Sequence, residues 1–244
     1  MNPNSITSQY YNIVSSPLKG PDITDEEISL VNKLVPNGSS ILDVGAGTGR
    51  HALILSNLGF KLTAIDSSSA MLEELKKRDA DNKINVINKN IYKFVTAERF
   101  NLITLFWNSF NEIALTKANA ILLLKNLKRL LATGGALLIN IDDSTSIDPS
   151  QFNFETNKIT GEFSYKMKWS TYKYYQKTNT SISKEEVEIY KGDKLVDSRT
   201  TFIKQRYWSL DQIKELAQIC GLNVSKVELK TSNELYLVLS ILNK

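Results

Sequence analysis

The chain has 244 residues, 42% hydrophobic and 23% charged, with a formal net charge of +4 and a single cysteine. That length suits one well-buried α/β domain with an elaboration and leaves little room for a second large one. Cys220 alone excludes an intramolecular disulfide, and its place in an apolar helical pattern predicts a packed thiol rather than a nucleophile. No apolar run approaches a membrane span, and the opening Met-Asn-Pro-Asn-Ser lacks the charged and apolar regions of a signal peptide, so a soluble cytoplasmic protein is expected.

Charge is uneven. Between residues 157 and 207 eleven Lys or Arg stand against six Asp or Glu, a net of +5, which leaves the rest near −1. This tilt suits an acidic or nucleic-acid partner or, as dispersed lysines more often do, a solvated strand face.

Tyr10, Tyr11 and Ile13 precede a loop with Pro17, Gly20 and Pro21, after which Thr24-Asp-Glu-Glu27 reads as a capping box opening a helix to about residue 34. Pro36-Asn-Gly38 turns into a first strand that carries Ile41 and Leu42 and closes on Asp43. Gly45, Gly47 and Gly49 let the chain turn sharply with its amides close to a ligand. Ala52, Leu53, Leu55 and Leu58 recur at helical spacing, with Gly59 placed to end the helix. A second strand, 62–65, terminates in Asp66, whose carboxylate can accept hydrogen bonds from both hydroxyls of a ribose.

Met71, Leu72 and Leu75 mark the next helix, and 84–87 a third strand followed by a loop through Ile91. Residues 102–106 form a fourth strand, 116–131 a leucine-rich helix, and 135–141 a fifth strand after a turn at Thr133-Gly134. Strands alternating with helices imply right-handed crossovers and a parallel sheet. From about 142 the pattern becomes β-type without helices. Phe163, Tyr165, Met167, Trp169 and Thr171 alternate with polar residues, and further strands at about 181–190 and 194–207 complete an expected three-stranded antiparallel insertion. Ser209-Leu-Asp-Gln212 is a second capping box, its helix ends near Gly221, and strands at 224–229 and 234–242 finish the chain.

Strand, glycine turn, helix, strand, acid is the outline of a nucleoside pocket. The third glycine comes one residue too early for the dinucleotide fingerprint, and Arg50 stands where its last glycine would fall. Asp43, just before the turn, is unfavourable to a pyrophosphate but suits a cationic group such as an ammonium.

Asp-x-Gly-x-Gly-x-Gly with an acid after the next strand, continued through Gly-Thr-Gly-Arg-His-Ala-Leu and Ala-Ile-Asp-Ser-Ser-Ser-Ala-Met-Leu, resembles the class I S-adenosylmethionine-dependent methyltransferases. The segment Trp107-Asn-Ser-Phe resembles wording found in their small-molecule members. The resemblance covers about 10–141 and 206–244. It implies a doubly wound, mostly parallel seven-stranded sheet of Rossmann-like type, the last strand antiparallel, with an antiparallel β insertion over the acceptor. A single domain over 1–244 follows: a cofactor-binding core at 1–141, the insertion as lid at 142–207, and a C-terminal helix and strand pair at 208–244.

The resemblance also implies S-adenosylmethionine as cofactor, leaving as S-adenosylhomocysteine. Asp43, Gly45, Ala46, Gly47 and Gly49 fall to its methionine end, Arg50 and Tyr11 to the methionine carboxylate, Asp66 and Ser67 to the ribose, and Met71 to the adenine. Asn90 and Ile91 stand where relatives carry an Asp and an apolar residue at the adenine; an Asn oxygen can still accept from the amino group. Phe106 or Trp107 is expected to wall the site and Asn108 to orient an acceptor. His51 and Glu112 are candidate bases, His51 more often structural in such a place, and Asp142 and Asp143 share the ligand-binding edge with Glu112. No metal is expected.

The reading is methyl transfer by in-line displacement to nitrogen or oxygen of a small molecule, with Tyr165, Trp169 and 172–175 in the lid, by a monomer or homodimer that engages neither membrane nor nucleic acid. The competing readings are an RNA or protein methyltransferase and a non-catalytic cofactor binder.

Overall fold

β1 (Ser40–Val44) lies between β2 (Lys61–Asp66) and β4 (Phe100–Leu105), parallel to both, and its residues from Ile41 to Val44 are buried on both faces. Near-continuous apolar strands of this kind need helices on each side of the sheet. β3 (Asn85–Asn88) flanks β2 and β5 (Leu131–Ile141) flanks β4, all parallel. β11 (Leu235–Ile241) then inserts antiparallel between β5 and β10 (Leu222–Val227), giving the order β10-β11-β5-β4-β1-β2-β3. This is the doubly wound seven-stranded sheet expected, with the last strand reversed. The computed structural model describes residues 21–145, 148–232 and 234–242; Tyr11, with the rest of 1–20, lies outside them.

One face is covered by α1 (Pro21–Leu34), α2 (Arg50–Asn57) and α3 (Ser69–Arg78), through Ile28, Val31, Ala52, Leu55, Leu72 and Leu75. The other is covered by α5 (Lys117–Leu130) and α6 (Leu210–Ile219), following a short α4 (Ser109–Ile113); Leu123, Leu124, Leu127 and Leu216 pack there. The helix spacing read from the sequence holds: Ser68, Thr116 and Ser209 cap their helices, and Ser209 with Gln212 forms the capping box in full. Cys220 is buried, its sulfur near the carbonyl of Ile121.

Four local expectations are corrected. α1 starts at Pro21 rather than after Thr24, with proline in the first turn, where its missing N–H costs nothing; Thr24 is inside the helix and its hydroxyl accepts from Arg50 Nη1–H at 2.9 Å. β5 begins at Leu131, because the Gly134 turn is absorbed as a register shift beside Phe100–Leu102. α4, unannounced by any apolar period, packs directly after β4. The insertion has four strands, not three.

The additional strand is β6 (Asn153–Thr160), which pairs antiparallel with β7 (Phe163–Tyr175), followed by β8 (Thr180–Lys191) and β9 (Lys194–Arg206) in the order β6-β7-β8-β9. β6 carries no apolar alternation; as an edge strand it needs little more than Phe154, which stacks on Trp169. Tyr165, Met167, Val187 and Ile189 form the small apolar cluster of this sheet. Its two ends leave the core together: Asp143 bridges Trp208, and Asn111 Nδ2–H donates to the Arg206 carbonyl at 2.9 Å.

Candidate functional site

The carboxyl ends of β1 and β4 meet where successive crossovers leave for opposite faces, the place in an open α/β sheet where a crevice forms. The second sheet stands over that edge, and between them lies a cavity of about 1150 Å³. A drug-sized ligand fills a pocket of roughly 300–1,000 Å³. The volume therefore accommodates a nucleoside cofactor with a small acceptor beside it.

Its floor is the turn after β1. Gly45, Gly47 and Gly49 all have positive φ (74°, 56° and 85°). A Cβ on Gly45 would meet Ser109 Oγ at 2.7 Å and one on Gly49 would meet Leu75 at 2.8 Å, whereas one on Gly47 would project into open space. The outer glycines let the turn pack against α4 and α3, and the middle one leaves room above it. Asp66 closes the far side, accepting from Gly47 N–H at 2.9 Å and Ser68 N–H at 2.8 Å. These bonds tie the end of β2 to the turn and fix the carboxylate at the cavity wall. Asp43 accepts from Thr104 Oγ1–H at 2.8 Å, and burial pushes its carboxyl up.

Arg50 and His51 begin α2 and converge with α1 on Glu27, which is fully buried. Arg50 Nη1 lies 3.2 Å and His51 Nε2 2.7 Å from Glu27 Oε2, while the Tyr236 hydroxyl donates to Oε1 at 2.8 Å. Burial alone would push Glu27 up, but the His51 hydrogen bond, the Arg50 charge and the Tyr236 hydroxyl bring it to about 2. Burial and the Arg50 charge push His51 down, so its imidazole is neutral and Nε2–H donates to Glu27. Stacked on Phe106 at 4.0 Å and locked in this pair, His51 is a strut for the turn rather than a free base. Arg50 keeps one buried nitrogen, Nη2, without a partner among the described residues, at the cavity. That orphaned donor, the open space above Gly47 and the Asp66 carboxylate are the features a nucleoside bearing an amino-acid tail requires, and the chain fits such a group.

The wall opposite the turn is Phe106-Trp107-Asn108, leaving β4. Trp107 and Asn108 have φ of 54° and 56°, a left-handed conformation that a bulky side chain rarely adopts. Such residues cost on the order of 1–3 kcal/mol each and persist where surrounding structure holds them. Here Asn108 N–H donates to Asn140 Oδ1 at 3.3 Å, Ser109 Oγ–H donates to the Phe106 carbonyl at 2.8 Å, and Arg50 lies 5.0 Å over the Trp107 ring. Asn140 in turn donates to Glu234. The kink points Asn108 into the cavity edge, its Oδ1 buried and without a partner among the described residues.

Of the residues singled out from sequence, Asp43, Gly45, Ala46, Gly47, Arg50, His51, Asp66, Ser67, Asn90, Ile91, Phe106, Trp107, Asn108, Glu112 and Asp142 line this one cavity. Gly49 and Met71 are not among its lining: Met71 is buried inside α3, behind the floor. Asn90 caps a single turn of 3-10 helix, its Oδ1 accepting from Tyr92 N–H at 2.9 Å. Asp143 accepts from Thr145 instead.

From the second sheet, Met167 and Trp169 reach the cavity but Tyr165, Tyr172, Tyr174 and Tyr175 do not. Tyr165 is in the apolar cluster, and a register shift between Thr171 and Lys173 reverses the alternation beyond it, leaving Tyr172 exposed against Phe202. Sequence reasoning missed Glu185, Thr201 and Glu27. Glu185 was legible in principle, since it holds the inward place two residues before Val187 and four before Ile189.

Two carboxylates, Glu112 and Glu185, share the cavity. Burial raises Glu112 to about 7, with Asp66 adding to the rise. Burial raises Glu185 to about 7 as well, and the charge of Glu112 adds to it. Such a pair titrates near neutrality and can take a proton or hold a cation.

Comparison with known proteins agrees with this geometry. Residues 41–135 match the family model described as a methyltransferase domain. The cypemycin N-terminal methyltransferase of a Streptomyces species is 26% identical over 204 residues, 82% of this chain and 79% of that one. The CcbJ methyltransferase from Streptomyces caelestis superposes with a TM-score of 0.81 at 17% identity, covering 100% of this chain and 99% of that one. CalS10 from Micromonospora echinaspora, an amino pentose methyltransferase solved with S-adenosylmethionine bound, gives a TM-score of 0.76 at 14% identity, over 95% and 94% of the two chains. Residues 41–135 are a methyltransferase domain, and over most of its length the chain is similar to S-adenosylmethionine-dependent methyltransferases.

Proposed function

We propose that the protein transfers a methyl group to the nitrogen of a small-molecule amine, as one domain whose second sheet is a lid over the acceptor. The observation that carries this reading is the carboxylate pair Glu112 and Glu185, which line the same cavity as the glycine turn and act on one another. An amine is protonated at neutral pH and attacks only after losing a proton; an alcohol would need a stronger base than a carboxylate near 7. The relative named for N-terminal methylation supports nitrogen over oxygen.

S-adenosylmethionine supplies a methyl on a cationic sulfur, and the nitrogen lone pair forms the new N–C bond while the electron pair of the broken S–C bond stays on sulfur. The chain's part is placement, which can supply effective molarities of roughly 10⁵ to 10⁸ M, together with exclusion of water. In this reading Arg50 Nη2–H and Asp43 hold the amino-acid tail, Asp66 and Ser67 the ribose, Asn90 and Ile91 the adenine edge, and Trp107 and Asn108 the gap between donor and acceptor. Phe152, Phe154, Trp169 and Phe202 wall the lid side.

The basic tilt of the insertion does not favour a nucleic-acid acceptor. Lys168, Lys184, Lys191 and Arg199 are each paired with a neighbouring acid, and Glu185 is turned inward. Among the described residues no helix is long and apolar enough to cross a membrane.

The test is to incubate the protein with methyl-labelled S-adenosylmethionine and an extract of its source, then separate products by size before and after nuclease and protease. Label in the small-molecule fraction that is lost when extract amines are first blocked with acetic anhydride is expected. Label in a nuclease- or protease-sensitive fraction, or label that survives the blocking, overturns the reading.

A further inference from the structure

The lid presents more than an apolar roof. Register pairs Phe154 with Trp169, Trp169 with Glu185, and Glu185 with Thr201, so these four form one row straight across β6, β7, β8 and β9. Residues directly paired across strands project from the same face, and all four line the cavity. Three of them bring polar groups. Trp169 Nε1 and Thr201 Oγ1 are buried without a hydrogen-bond partner among the described residues, and Glu185 stands between them. Phe154 stacks parallel on the Trp169 indole at 6.2 Å, which limits its rotation at the end of the row.

Buried polar groups are almost always satisfied, and three in a line facing a cavity are satisfied together by one occupant. Their chemistry defines it. The indole N–H only donates, so its partner is an acceptor, for which an oxygen is the simplest choice beside an amine; an ionised carboxylate only accepts, so its partner carries N–H or O–H; the threonine hydroxyl does either. Neighbouring strands are about 4.8 Å apart, which sets the spacing of the groups they hold. The matching ligand atoms are therefore separated by two or three bonds, not by a long chain.

We propose that Trp169, Glu185 and Thr201, with Glu112 facing them from the core, form the acceptor-recognition strip, and that the acceptor is an amine bearing a hydroxyl or ether oxygen one or two carbons from its nitrogen. This rests on the reading of the protein as an N-methyltransferase. An ammonium between Glu112 and Glu185 meets two carboxylates. One carboxylate takes a proton from the ammonium and leaves the nitrogen with its lone pair; the other keeps a hydrogen bond to a remaining N–H. The flanking oxygen donors and acceptors hold the nitrogen in register, and a plain alkyl amine would leave Trp169 and Thr201 unsatisfied. Because the strip belongs to the lid while Glu112 belongs to α4, the acceptor also bridges the two sheets.

The test uses the same labelled extract with the wild type and the Glu185→Gln, Thr201→Val and Trp169→Phe variants, each first titrated calorimetrically with S-adenosylhomocysteine to show a folded, intact cofactor site. Labelling of the small-molecule product at limiting acceptor is expected to fall about ten- to a hundredfold in Glu185→Gln, and about three- to tenfold in each of the other two, with S-adenosylhomocysteine affinity unchanged. Unchanged labelling in Glu185→Gln, or in both Thr201→Val and Trp169→Phe, overturns the strip while leaving N-methylation standing. Label that resists amine blocking overturns N-methylation itself, and the strip with it. A labelled amine shown by mass spectrometry to have no oxygen within two carbons of the methylated nitrogen overturns the acceptor class alone.

Discussion

Replacing Glu185 by glutamine is expected to stabilise the protein at high pH, and the size of the effect follows from where the carboxylate sits. Burial raises Glu185 from an ordinary 4.5 to about 7, with Glu112 adding to the rise. A carboxyl raised on folding leaves stability intact below its unfolded value and removes it as pH climbs through the folded value. The penalty from Glu185 therefore grows from about pH 4.5 to about pH 7 and is constant above that. A rise of that size corresponds to about 3 kcal/mol for an isolated group. Glu185 faces a cavity open to water, which screens it, so about 1–2 kcal/mol is the expected gain. For a chain of this length that is a shift of roughly 2–8 °C in Tm. The assay is thermal unfolding of wild type and variant, without ligand, from pH 4.5 to 9. The two should melt together near pH 4.5 and separate in favour of the variant by pH 8. A difference that is flat with pH, or a variant that melts lower at pH 8, would refute the placement of two interacting, partly desolvated carboxylates in one cavity.

Asp66→Ala strands the Gly47 and Ser68 amides as well as removing a ligand group, and S-adenosylhomocysteine affinity by calorimetry should fall about ten- to a hundredfold; wild-type affinity would unseat Asp66 from the site. Asn108→Gly and Asn108→Val both remove the side-chain amide, but only valine resists a φ of 56°, so both should lose methyl transfer while only the valine variant loses about 1–2 kcal/mol in denaturant unfolding. Equal stability of the two would show that the backbone there is unstrained. Glu27→Gln leaves Arg50 and Tyr236 without their buried carboxylate and should cost about 3–5 kcal/mol at pH 7. Because Glu27 is held at about 2, its contribution is present above the ordinary 4.5 and lost as pH falls toward 2. Acid titrations of the two proteins should accordingly converge, and parallel acid curves would place the loss elsewhere.

The cofactor half of the site was legible because its requirements are local. A positive φ at Gly45, Gly47 and Gly49 and a carboxylate at the end of the next strand are each met by neighbours in the chain, so residue type and spacing report them directly. The parallel sheet followed from alternation of strand and helix for the same reason, while the seven-stranded arrangement with its reversed last strand came from the family resemblance. Expectations failed where distant contacts override local pattern. Thr24 looks like a cap but spends its hydroxyl on Arg50, and β6 has no apolar period because Trp169 supplies its packing partner. The Tyr172–Tyr175 stretch left the cavity through a one-residue register shift that no composition announces.

The sequence by itself determined the fold class and the nucleotide-type turn, since those depend on backbone geometry encoded within a few residues, and its motif wording carried the resemblance that implies the donor. Only the tertiary structure decided the acceptor side. Glu112 and Glu185 are 73 residues apart by number, and each is an ordinary surface-type acid in its own segment. Burial within a shared cavity, which exists only once the second sheet stands over the edge of the first, is what shifts their protonation and turns two dispersed carboxylates into one binding feature.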